Sequence, residues 1–494
     1  MHKKHNLLFI LLLIHLSASA QVYFNKSYSP YLPYSATQYI PVGIVNVCET
    51  NIGYLTSGSY PTMDKRVLYI VVTDIIGDTI CTKTYGETGE VYYSGYGGGM
   101  FATTDGNYAI SGTYKKDTLS EADGLLLKMN NIGDTLWTKK YGTPTEETFY
   151  AGIQSIDGNY YLAGTAYDTI GLHYDMYVVK ADSMGNAIWE KKYGGAGSQS
   201  ASNIQITMDG NILISGYSGS GNNYNALAIK LDTAGNVLWT HSINTNGGGG
   251  GHLIETNDGG YVFHGQWRIS SLPNFTQYFV QRLNTSKQIQ WEQKFYDALN
   301  RINVFNDFIE DNNAFIFMGG HQDSMGNKNH SVISKINAAG QKVWHRNINK
   351  FARDNYSRDI EKTSDGGFII AGFGSEFLPN GMYCQEAWLC KVDSFGCLQQ
   401  GCELFDAIEE KSPTAQEELN VYPNPSKGLF YIQSSQQIET IHIIDISGKR
   451  VFEQKVNGTM QETLSLNLPA EGLYLLQVQY SNGTYETKKI HIVK

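Results

Sequence analysis

The segment Ile-Lys-Leu-Asp-Thr-Ala-Gly-Asn-Val-Leu-Trp at residues 229–239 recurs with variation along most of the chain, and it constrains the fold more than any other feature. An apolar run ends at Lys230, a polar turn extends from Asp232 to Asn236, and apolar residues lead to Trp239. Asp favours such a turn because its side chain bonds the nearby backbone, and Gly tolerates a positive φ. Two apolar runs flanking such a turn predict a β-hairpin. Other copies occupy residues 128–137, 180–189, 282–291 and 335–344, and divergent copies occupy residues 74–81 and 391–397.

A second marker alternates with the first along the chain. It reads Asp-Gly-x-aromatic and is followed by Gly four residues after the aromatic residue, as in Asp157 to Tyr160 and Gly164. Further copies begin at Asp105, Asp209, Asp258 and Asp365, and divergent copies occupy residues 53–58 and 311–319. The two markers define seven units with a period of about fifty residues, which is in the range of propellers and solenoids.

Each unit contains four predicted strands. In the third unit these are residues 152–156, 159–166, 175–182 and 187–193. Four antiparallel strands in a unit of this length form a propeller blade, whereas the coils of a β-solenoid, the structural alternative, are shorter than this period. The sequence therefore predicts an all-β fold with a seven-bladed β-propeller over residues 21–402. The recurring Trp and Tyr residues are interpreted as the core between blades, because buried aromatic rings dominate core energetics.

The two ends of the propeller segment complement each other. Residues 22–28 resemble an outermost blade strand such as residues 188–193, and the seventh unit lacks this strand because it ends near Cys397. We expect residues 22–28 to pair with residues 387–393 and to close the ring. Closure would hide sheet edges that otherwise promote aggregation.

Residues 1–20 have the features of a secretory signal peptide: a basic start, a short apolar run and a small-residue exit. No other segment is long and apolar enough to be predicted as a transmembrane span. The net charge is −10, and the Lys and Arg residues are scattered rather than clustered. This distribution argues against nucleic acid as a partner.

The chain has six Cys residues, and they can pair in an exported protein. Cys397 and Cys402 lie close together in sequence and are expected to form a small clip. Pairing of Cys48 with Cys81, and of Cys384 with Cys390, is left open. Cys384 and Cys390 would be too far apart to bond if they shared one straight strand.

The composition changes after residue 402. Residues 403–418 are polar and acidic and are interpreted as a linker. Residues 419–494 lack the Asp-Gly marker and contain alternating strands at 428–433, 440–446, 450–455, 463–467, 473–480 and 485–493. About seven short strands in such a length suggest a small Ig-like β-sandwich domain.

This C-terminal segment resembles the type A sorting domain of the type IX secretion system, also called the Por secretion tail. Its opening motif is Tyr422-Pro423-Asn424-Pro425, followed by Gly428. The central turn contains Asp445 and Gly448, the following stretch contains Gly472 and Tyr474, and the terminal strand contains Lys488 and Lys489. The resemblance implies that these residues form the sorting signal. It also implies that the outer-membrane translocon recognises the domain, that the domain is usually removed, and that the protein is secreted or attached to the outer face of the outer membrane.

The repeats are also similar to secreted bacterial propeller repeats and, more distantly, to the Trp-docking repeats of quinoprotein propellers. Those repeats have one more residue between Asp and Gly, and their cofactor residues have no recognisable counterpart here. The expectation is therefore a protein without a cofactor.

No catalytic or metal-binding group stands out. Glu146 and Glu147 are adjacent and would point to opposite faces of a strand. Four histidines, His252, His264, His321 and His330, are interpreted as scattered core or surface residues. We expect a binding or interaction module rather than an enzyme, with a glycan or a surface protein as its ligand. The alternatives are a propeller hydrolase acting on polysaccharide, favoured by acidic residues facing the channel, and a structural cell-surface component, favoured by extended self-association.

Overall fold

The computed structural model describes residues 22–28, 42–61, 66–86, 89–96, 98–221, 223–246, 248–268, 276–295, 303–322, 328–377, 383–398, 419–445, 449–466, 471–481 and 485–493. Every regular secondary-structure element in these residues is a β-strand. The chain separates into two compact units, with the division between residues 398 and 399. The predicted signal peptide and the predicted linker at 403–418 lie outside the described residues.

The strands of the first compact unit follow the repeat. Repeat unit one contains β2 (Gly43–Thr50), β3 (Gly53–Pro61), β4 (Arg66–Asp74) and β5 (Thr79–Tyr85). Unit two contains β6 (Val91–Ser94), β7 (Met100–Ala102), β8 (Tyr108–Lys115), β9 (Asp123–Met129) and β10 (Thr135–Tyr141). Unit three contains β11 (Glu147–Gln154), β12 (Tyr160–Asp168), β13 (His173–Ala181) and β14 (Ala187–Tyr193). Unit four contains β15 (Ser198–Ile206), β16 (Ile212–Ser220), β17 (Asn223–Leu231) and β18 (Val237–Ile243).

The remaining repeat units have the same order. Unit five contains β19 (Gly251–Glu255), β20 (Tyr261–Arg268), β21 (Thr276–Leu283) and β22 (Ile289–Phe295). Unit six contains β23 (Asn303–Asp311), β24 (Ala314–Gln322), β25 (Asn329–Asn337) and β26 (Lys342–Asn347). Unit seven contains β27 (Asp354–Lys362), β28 (Phe368–Phe377) and β29 (Tyr383–Val392), and β1 (Phe24–Tyr28) completes it.

Each unit is an antiparallel sheet in which consecutive strands pair, as in a propeller blade. In unit two the first strand is divided, and both β6 and β7 pair with β8. Units six and seven join into one eight-stranded sheet through a single parallel contact between Asn329 and Asp354. The propeller-type, all-β fold is as predicted, while the count of seven blades stays a prediction.

The chain ends of the first compact unit meet as the sequence predicts. β1 pairs antiparallel with β29, from Phe24 opposite Lys391 to Tyr28 opposite Ala387. The Tyr28 hydroxyl also donates a 2.7 Å hydrogen bond to the carbonyl of Gly77 in unit one. The expected pairing of residues 22–28 is therefore confirmed, and β1 joins unit seven to unit one.

The recurring Asp turn serves as a docking point for the preceding unit. Asp232 accepts hydrogen bonds from the backbone N–H of Ala234 at 2.9 Å and of Asn236 at 2.8 Å. Gly235 follows with φ of +77°, and a Cβ there would lie 3.1 Å from the ring of Trp189 in unit three. The Trp189 indole donates a 3.2 Å hydrogen bond to the backbone oxygen of Thr233 in the same turn. The repeated Gly therefore leaves space for the neighbour's Trp.

The same contact recurs between successive units. Trp137 faces Gly185, Trp291 faces Gly340, Trp344 faces Gly396, and Phe24 of β1 faces Gly77. Between units four and five, Lys287 replaces the Gly and its Nζ lies 4.7 Å from the Trp239 ring. Between units one and two, Gly133 faces Ile70 because Cys81 stands at the Trp position. The interpretation of the Trp residues as contacts between blades is confirmed for these pairs.

The recurring Lys has a role that the sequence reasoning missed. Lys128 Nζ lies 2.6 Å from Asp105, Lys230 lies 2.9 Å from Asp209, and Lys391 lies 3.0 Å from Asp365. The Lys at the end of the third strand thus pairs with the Asp of the turn between the first two strands. Pairing accounts for a buried cation that would otherwise carry a large desolvation cost.

The second compact unit contains β30 (Leu419–Tyr422), β31 (Leu429–Ile444), β32 (Arg450–Ser465), β33 (Gly472–Tyr480) and β34 (Tyr485–Ile492). The predicted strands 428–433 and 440–446 merge into β31, and 450–455 and 463–467 merge into β32. Burial alternates along most of β31, so register shifts bend the strand instead of ending it. The pairing of the described residues gives one curled five-stranded sheet. This strand pairing does not divide into two facing sheets, so the Ig-like sandwich stays a prediction.

The state of the cysteines agrees with part of the disulfide prediction. Cys397 is disulfide-bonded, and its predicted partner Cys402 lies outside the described residues. Cys48, Cys81, Cys384 and Cys390 are free thiols, so neither of the pairings left open is formed. Cys384 and Cys390 both lie on β29, where the strand rise separates them.

The contact between Trp and turn can be tested with two glycines of nearly equal conformation. Gly185 has φ of +77° and Gly106 has φ of +79°, but only Gly185 faces a Trp. Gly106→Ala is expected to cost about 1–2 kcal/mol of backbone strain. Gly185→Ala is expected to cost about 1–3 kcal/mol more, because the added Cβ meets Trp137. Urea unfolding of the full chain measures both, and equal losses would contradict the proposed docking contact.

Candidate functional site

The two ends of the repeat units differ in character. Because consecutive strands are antiparallel, the turns from first to second strand and from third to fourth strand share one end, and these are the short Asp turns. The described connections from second to third strand, residues 116–122 and 169–172, lie at the opposite end. In the sequence, the seven connections of this kind vary in length and composition. We call this opposite end the variable end. Variable loops on a rigid scaffold are where binding residues concentrate.

The first strand of most units contains a bulge. First strands of successive units contact one another, which places them towards the centre of the ring. Register shifts in these strands fall at Val45, Tyr150, Ser202, Asn306 and Arg358. A bulge leaves one residue unpaired and redirects its side chain. The same central position therefore presents a different side chain from each of five units.

The Gly of the second marker is what makes the bulge possible. A Cβ at Gly164 would lie 1.8 Å from the Thr148 carbonyl oxygen, and one at Gly216 would lie 1.8 Å from that of Ser200. A Cβ at Gly372 would lie 2.0 Å from the carbonyl oxygen of Tyr356. The first strand can approach so closely only opposite Gly. The repeated Gly was therefore a sequence signal for the central side chains, although sequence reasoning used it only to count units.

Arg358 lies at the bulge of unit seven, with its guanidinium carbon 5.2 Å from the centroid of the Phe373 ring. Burial lowers the pKa of Arg358, and the nearby phenol groups of Tyr96, Tyr356 and Tyr278 act in the opposite direction. Tyr96 follows β6 of unit two, and Tyr278 lies on β21 of unit five. Phenol groups from units two, five and seven thus lie close enough to Arg358 to influence its pKa.

Tyr150, the bulge residue of unit three, belongs to the same region. Burial raises the pKa of Tyr150, and Tyr217 and Tyr96 add to this effect. The backbone of the two units is also close, since a Cβ at Gly95 would lie 2.3 Å from the Tyr150 carbonyl oxygen. We define the channel mouth as Tyr96, Tyr150, Tyr356 and Arg358, whereas Tyr278 is buried in a hydrophobic core. The channel mouth is aromatic and carries a cation.

Aromatic pairs extend the channel mouth toward the variable end. The pairs Tyr92–Tyr114, Tyr167–Tyr174, Tyr217–Tyr224 and Tyr356–Phe373 each have ring centroids 5.2 Å apart. In unit six the corresponding pair is His321–His330, stacked at 5.0 Å. Each pair joins strands near the variable loops, so this end of the ring is rich in flat side chains with a polar tip.

Buried carboxylates occupy the first strands beyond the bulges. Asp359 accepts a 2.7 Å hydrogen bond from the backbone N–H of Val47 in unit one. Asp307 accepts one from the N–H of Phe308 at 2.8 Å and one from Ile360 of unit seven at 3.4 Å. Burial raises the pKa of Asp359, and the neighbouring Asp307 adds to the shift. These groups join the first strands of adjacent units.

Glu361 lies next to this group. Its carboxylate accepts a 3.4 Å hydrogen bond from the Glu49 N–H and lies 3.6 Å from the Cys48 thiol. Burial raises the pKa of Glu361 to about 7. The hydrolase alternative requires an acidic cluster near the channel. However, the carboxylates of Asp307, Asp359 and Glu361 each accept hydrogen bonds from backbone N–H groups.

The candidate residues considered in the sequence are not brought together. The Glu147 side chain is fully buried and accepts a 2.5 Å hydrogen bond from Thr143, whereas Glu146 accepts a 2.7 Å bond from Tyr174. The rings of His252 and His264 meet edge to face with centroids 5.1 Å apart, and His321 stacks with His330 at 5.0 Å. The histidines therefore form two separate pairs.

Among the described residues, one group has the spacing of a cation site. Ligand atoms of Asp168, His173 and Asp175 lie within 4.8 Å of one another, at the variable end of unit three. Asp168 already accepts the backbone N–H of Ile170 at 3.0 Å and of Gly171 at 2.9 Å. These bonds explain its position as a turn residue, and we assign no metal to the group.

In the second compact unit, the Tyr-Pro-Asn-Pro motif is fastened to the edge of β34. The Asn424 amide donates a 2.7 Å hydrogen bond to the Lys489 carbonyl and accepts a 2.8 Å bond from the His491 N–H. The Ser426 N–H donates to the His491 carbonyl at 2.9 Å. Gly428 has φ of +100°, and a Cβ there would lie 2.3 Å from the Leu466 carbonyl oxygen. The motif therefore covers an otherwise open sheet edge.

The other predicted sorting residues are spread over this unit. Tyr474 is buried in the core, and Asp445 accepts a 3.0 Å hydrogen bond from the Lys449 N–H. Tyr422 is exposed, with its ring 5.9 Å from that of Tyr431. Pro423 and Pro425 flank Asn424, Gly472 begins β33, Lys488 and Lys489 lie on β34, and Gly448 lies outside the described residues. Their role in sorting stays a prediction.

Comparison with protein families identifies the second compact unit. Residues 420–493 match the family described as the secretion system C-terminal sorting domain. This match confirms the resemblance seen in the sequence. It indicates export by the type IX secretion system, to the cell surface or into the medium. No helix in the described residues meets the length and apolarity of a membrane span.

Comparison with curated proteins gives no match. Similar solved structures include the subtype N11 neuraminidase-like protein of A/flat-faced bat/Peru/033/2010 (H18N11), at 10% identity over 76% of this chain and 95% of that chain with a TM-score of 0.35. An endo-arabinase from Bacteroides thetaiotaomicron VPI-5482 has 14% identity over 48% and 89%, with a TM-score of 0.30. A protein of unknown function from Dyadobacter fermentans DSM 18053 has 11% identity over 62% and 99%, with a TM-score of 0.40. Sequence identities and TM-scores as low as these do not support an inference about function.

The raised pKa of Glu361 predicts a pH-dependent stability. The folded protein holds this proton more tightly than the unfolded chain, so the free energy of unfolding falls as the pH rises from about 4.5 to about 7. The slope from this one group is at most about 1.4 kcal/mol per pH unit. Glu361→Gln is expected to flatten the decline and to be the more stable form at pH 8, whereas exposed Glu121→Gln keeps the wild-type slope. Parallel curves for wild type and Glu361→Gln would contradict the assignment.

Proposed function

We propose that this chain is a secreted or surface-attached binding protein, and that its propeller takes a ligand at the channel mouth. One observation carries the proposal: aromatic pairs from several units lie at one end of the ring, beside the bulge residues Tyr150 and Arg358, while the other end consists of repeated short turns. A repeat without a binding role would not need different side chains at the same bulge position.

A glycan is the ligand class that suits this surface best. Tyrosine presents a flat apolar face with a hydroxyl at its tip, and sugar rings present C–H faces flanked by hydroxyls. Tyr96 is 56% exposed, and the cross-strand pairs around it extend the aromatic surface. Binding sites that combine aromatic walls with a few polar groups are typical of small-molecule and oligosaccharide recognition.

The sorting domain gives this binding activity its location. By analogy with the family, the translocon takes the C-terminal domain to the outer membrane, and the propeller is then exposed outside the cell. A binding module in this position would capture polysaccharide or attach the cell to it. The passenger is thus a non-catalytic partner in this proposal.

A propeller hydrolase is the second candidate. Glu361 favours it, because a carboxyl group with a pKa of about 7 suits general acid–base work near neutral pH. The bonding of Asp307 and Asp359 to backbone N–H groups of the adjoining strands argues for a structural role and places this candidate second.

A glycan-binding screen with the full chain tests the proposal. At least one polysaccharide should bind, and Tyr96→Ala should weaken it about tenfold, the equivalent of about 1.4 kcal/mol. Phe395→Ala is the matched control, because Phe395 is 47% exposed but lies in an Asp turn at the opposite end. Equal loss in both variants, or no binding, would contradict a site at the channel mouth. Release of shortened saccharides by wild type and not by Glu361→Gln would favour the hydrolase.

A further inference from the structure

Arg358 is half-buried and differs from the buried cations of the first compact unit. Lys128, Lys230, Arg282 and Lys391 each pair with the Asp of their own unit's turn. Arg358 has no ion pair with any described residue, and its buried Nε has no hydrogen-bond partner among them. Among the residues that the structure describes, the guanidinium of Arg358 is therefore positioned without a counter-ion.

Neighbouring residues fix the position of Arg358. The Asn306 side chain donates a 2.6 Å hydrogen bond to the Ser357 carbonyl, which fixes the backbone next to the bulge. Gly372 gives the bulged strand room, and the Phe373 ring lies 5.2 Å from the guanidinium carbon. An aromatic ring in this position orients the guanidinium by cation–π attraction. Three neighbours thus hold Arg358 at the channel mouth.

A half-buried cation without an ion pair has lost part of its hydration, and a bound anion offsets this loss. The guanidinium has several N–H donors in a planar fork that suits a carboxylate or another oxyanion. Tyr96, which is 56% exposed, and the half-buried Tyr356 supply flat surfaces on which a sugar ring can lie. The site thus combines a stacking surface for a sugar with a cation for a charged substituent.

We propose that Arg358 binds an oxyanion group carried on a sugar, so that the ligand of the propeller is an acidic polysaccharide. This inference rests on the proposed binding function and names its ligand class. A uronic-acid carboxylate and a sulfate ester share the required chemistry, and the test separates them.

The experiment measures binding of the purified full chain to polygalacturonic acid, to its methyl-esterified form, to dextran sulfate and to dextran. Wild type is expected to bind one of the two acidic polymers at least tenfold more tightly than its neutral counterpart. Arg358→Gln is expected to remove this preference and to bind the acidic and neutral forms equally. A carboxylate partner is indicated by preference for polygalacturonic acid, and a sulfate partner by preference for dextran sulfate.

Arg353→Gln is the matched control. Arg353 also lies over a Phe ring, with its guanidinium carbon 4.9 Å from the centroid of Phe377, but its Nε lies 3.4 Å from Asp354. This variant should keep the preference for the acidic polymer. Arg358→Lys keeps the charge without the planar fork and should retain only part of the preference.

Thermal unfolding separates a ligand role from a structural one. Loss of a half-buried cation without an ion pair should leave the unfolding temperature of Arg358→Gln equal to or above that of wild type. A lower unfolding temperature, or an acidic preference retained by Arg358→Gln, would overturn the inference. Binding of wild type to a neutral polymer alone would also overturn it, while leaving the proposed binding function intact. Absence of binding to all four polymers would overturn both.

Discussion

Each four-stranded sheet of this protein has an apolar face that only its neighbour can cover, and the contact between an aromatic side chain and the next unit's Asp turn achieves this. Trp189 shows how the contact is built: its ring lies on Gly235, and its indole donates to the same turn. Because the contact always points to the following unit, the last unit must find the first. β1 makes this possible by carrying Phe24 to Gly77.

The repeat that forms the ring also determines which side chains are presented at its centre. The Gly of the second marker accommodates a bulge, and the bulge frees one side chain per unit from pairing. The scaffold residue is thus constant while the presented residue varies from Val45 to Tyr150 to Arg358. Structure and recognition can vary separately, which is how a repeat scaffold acquires a specific binding surface.

Local signals account for what the sequence predicted well. β14 has the predicted bounds, 187–193, because the Asp turn before it and the alternation within it are both short-range features. The merging of two predicted strands into β31 was missed, because the polar residues around Gln436 interrupt the apolar alternation although β pairing continues through a register shift. The pair of Lys391 with Asp365, and the influence of Tyr96 on the pKa of Arg358, join residues far apart in sequence. No pattern in a single sequence specifies such distances.

Closure of the ring by β1 is the central claim, and a disulfide tests it most directly. Asn25 lies opposite the free Cys390 in the pairing of β1 with β29, whereas Lys26 lies opposite Leu389. Under mild oxidation, Asn25→Cys should form a disulfide with Cys390 that mass spectrometry detects as one cross-linked peptide, and Lys26→Cys should not. Absence of the link in Asn25→Cys, or equal linking in both variants, would contradict a ring closed by the N-terminal strand.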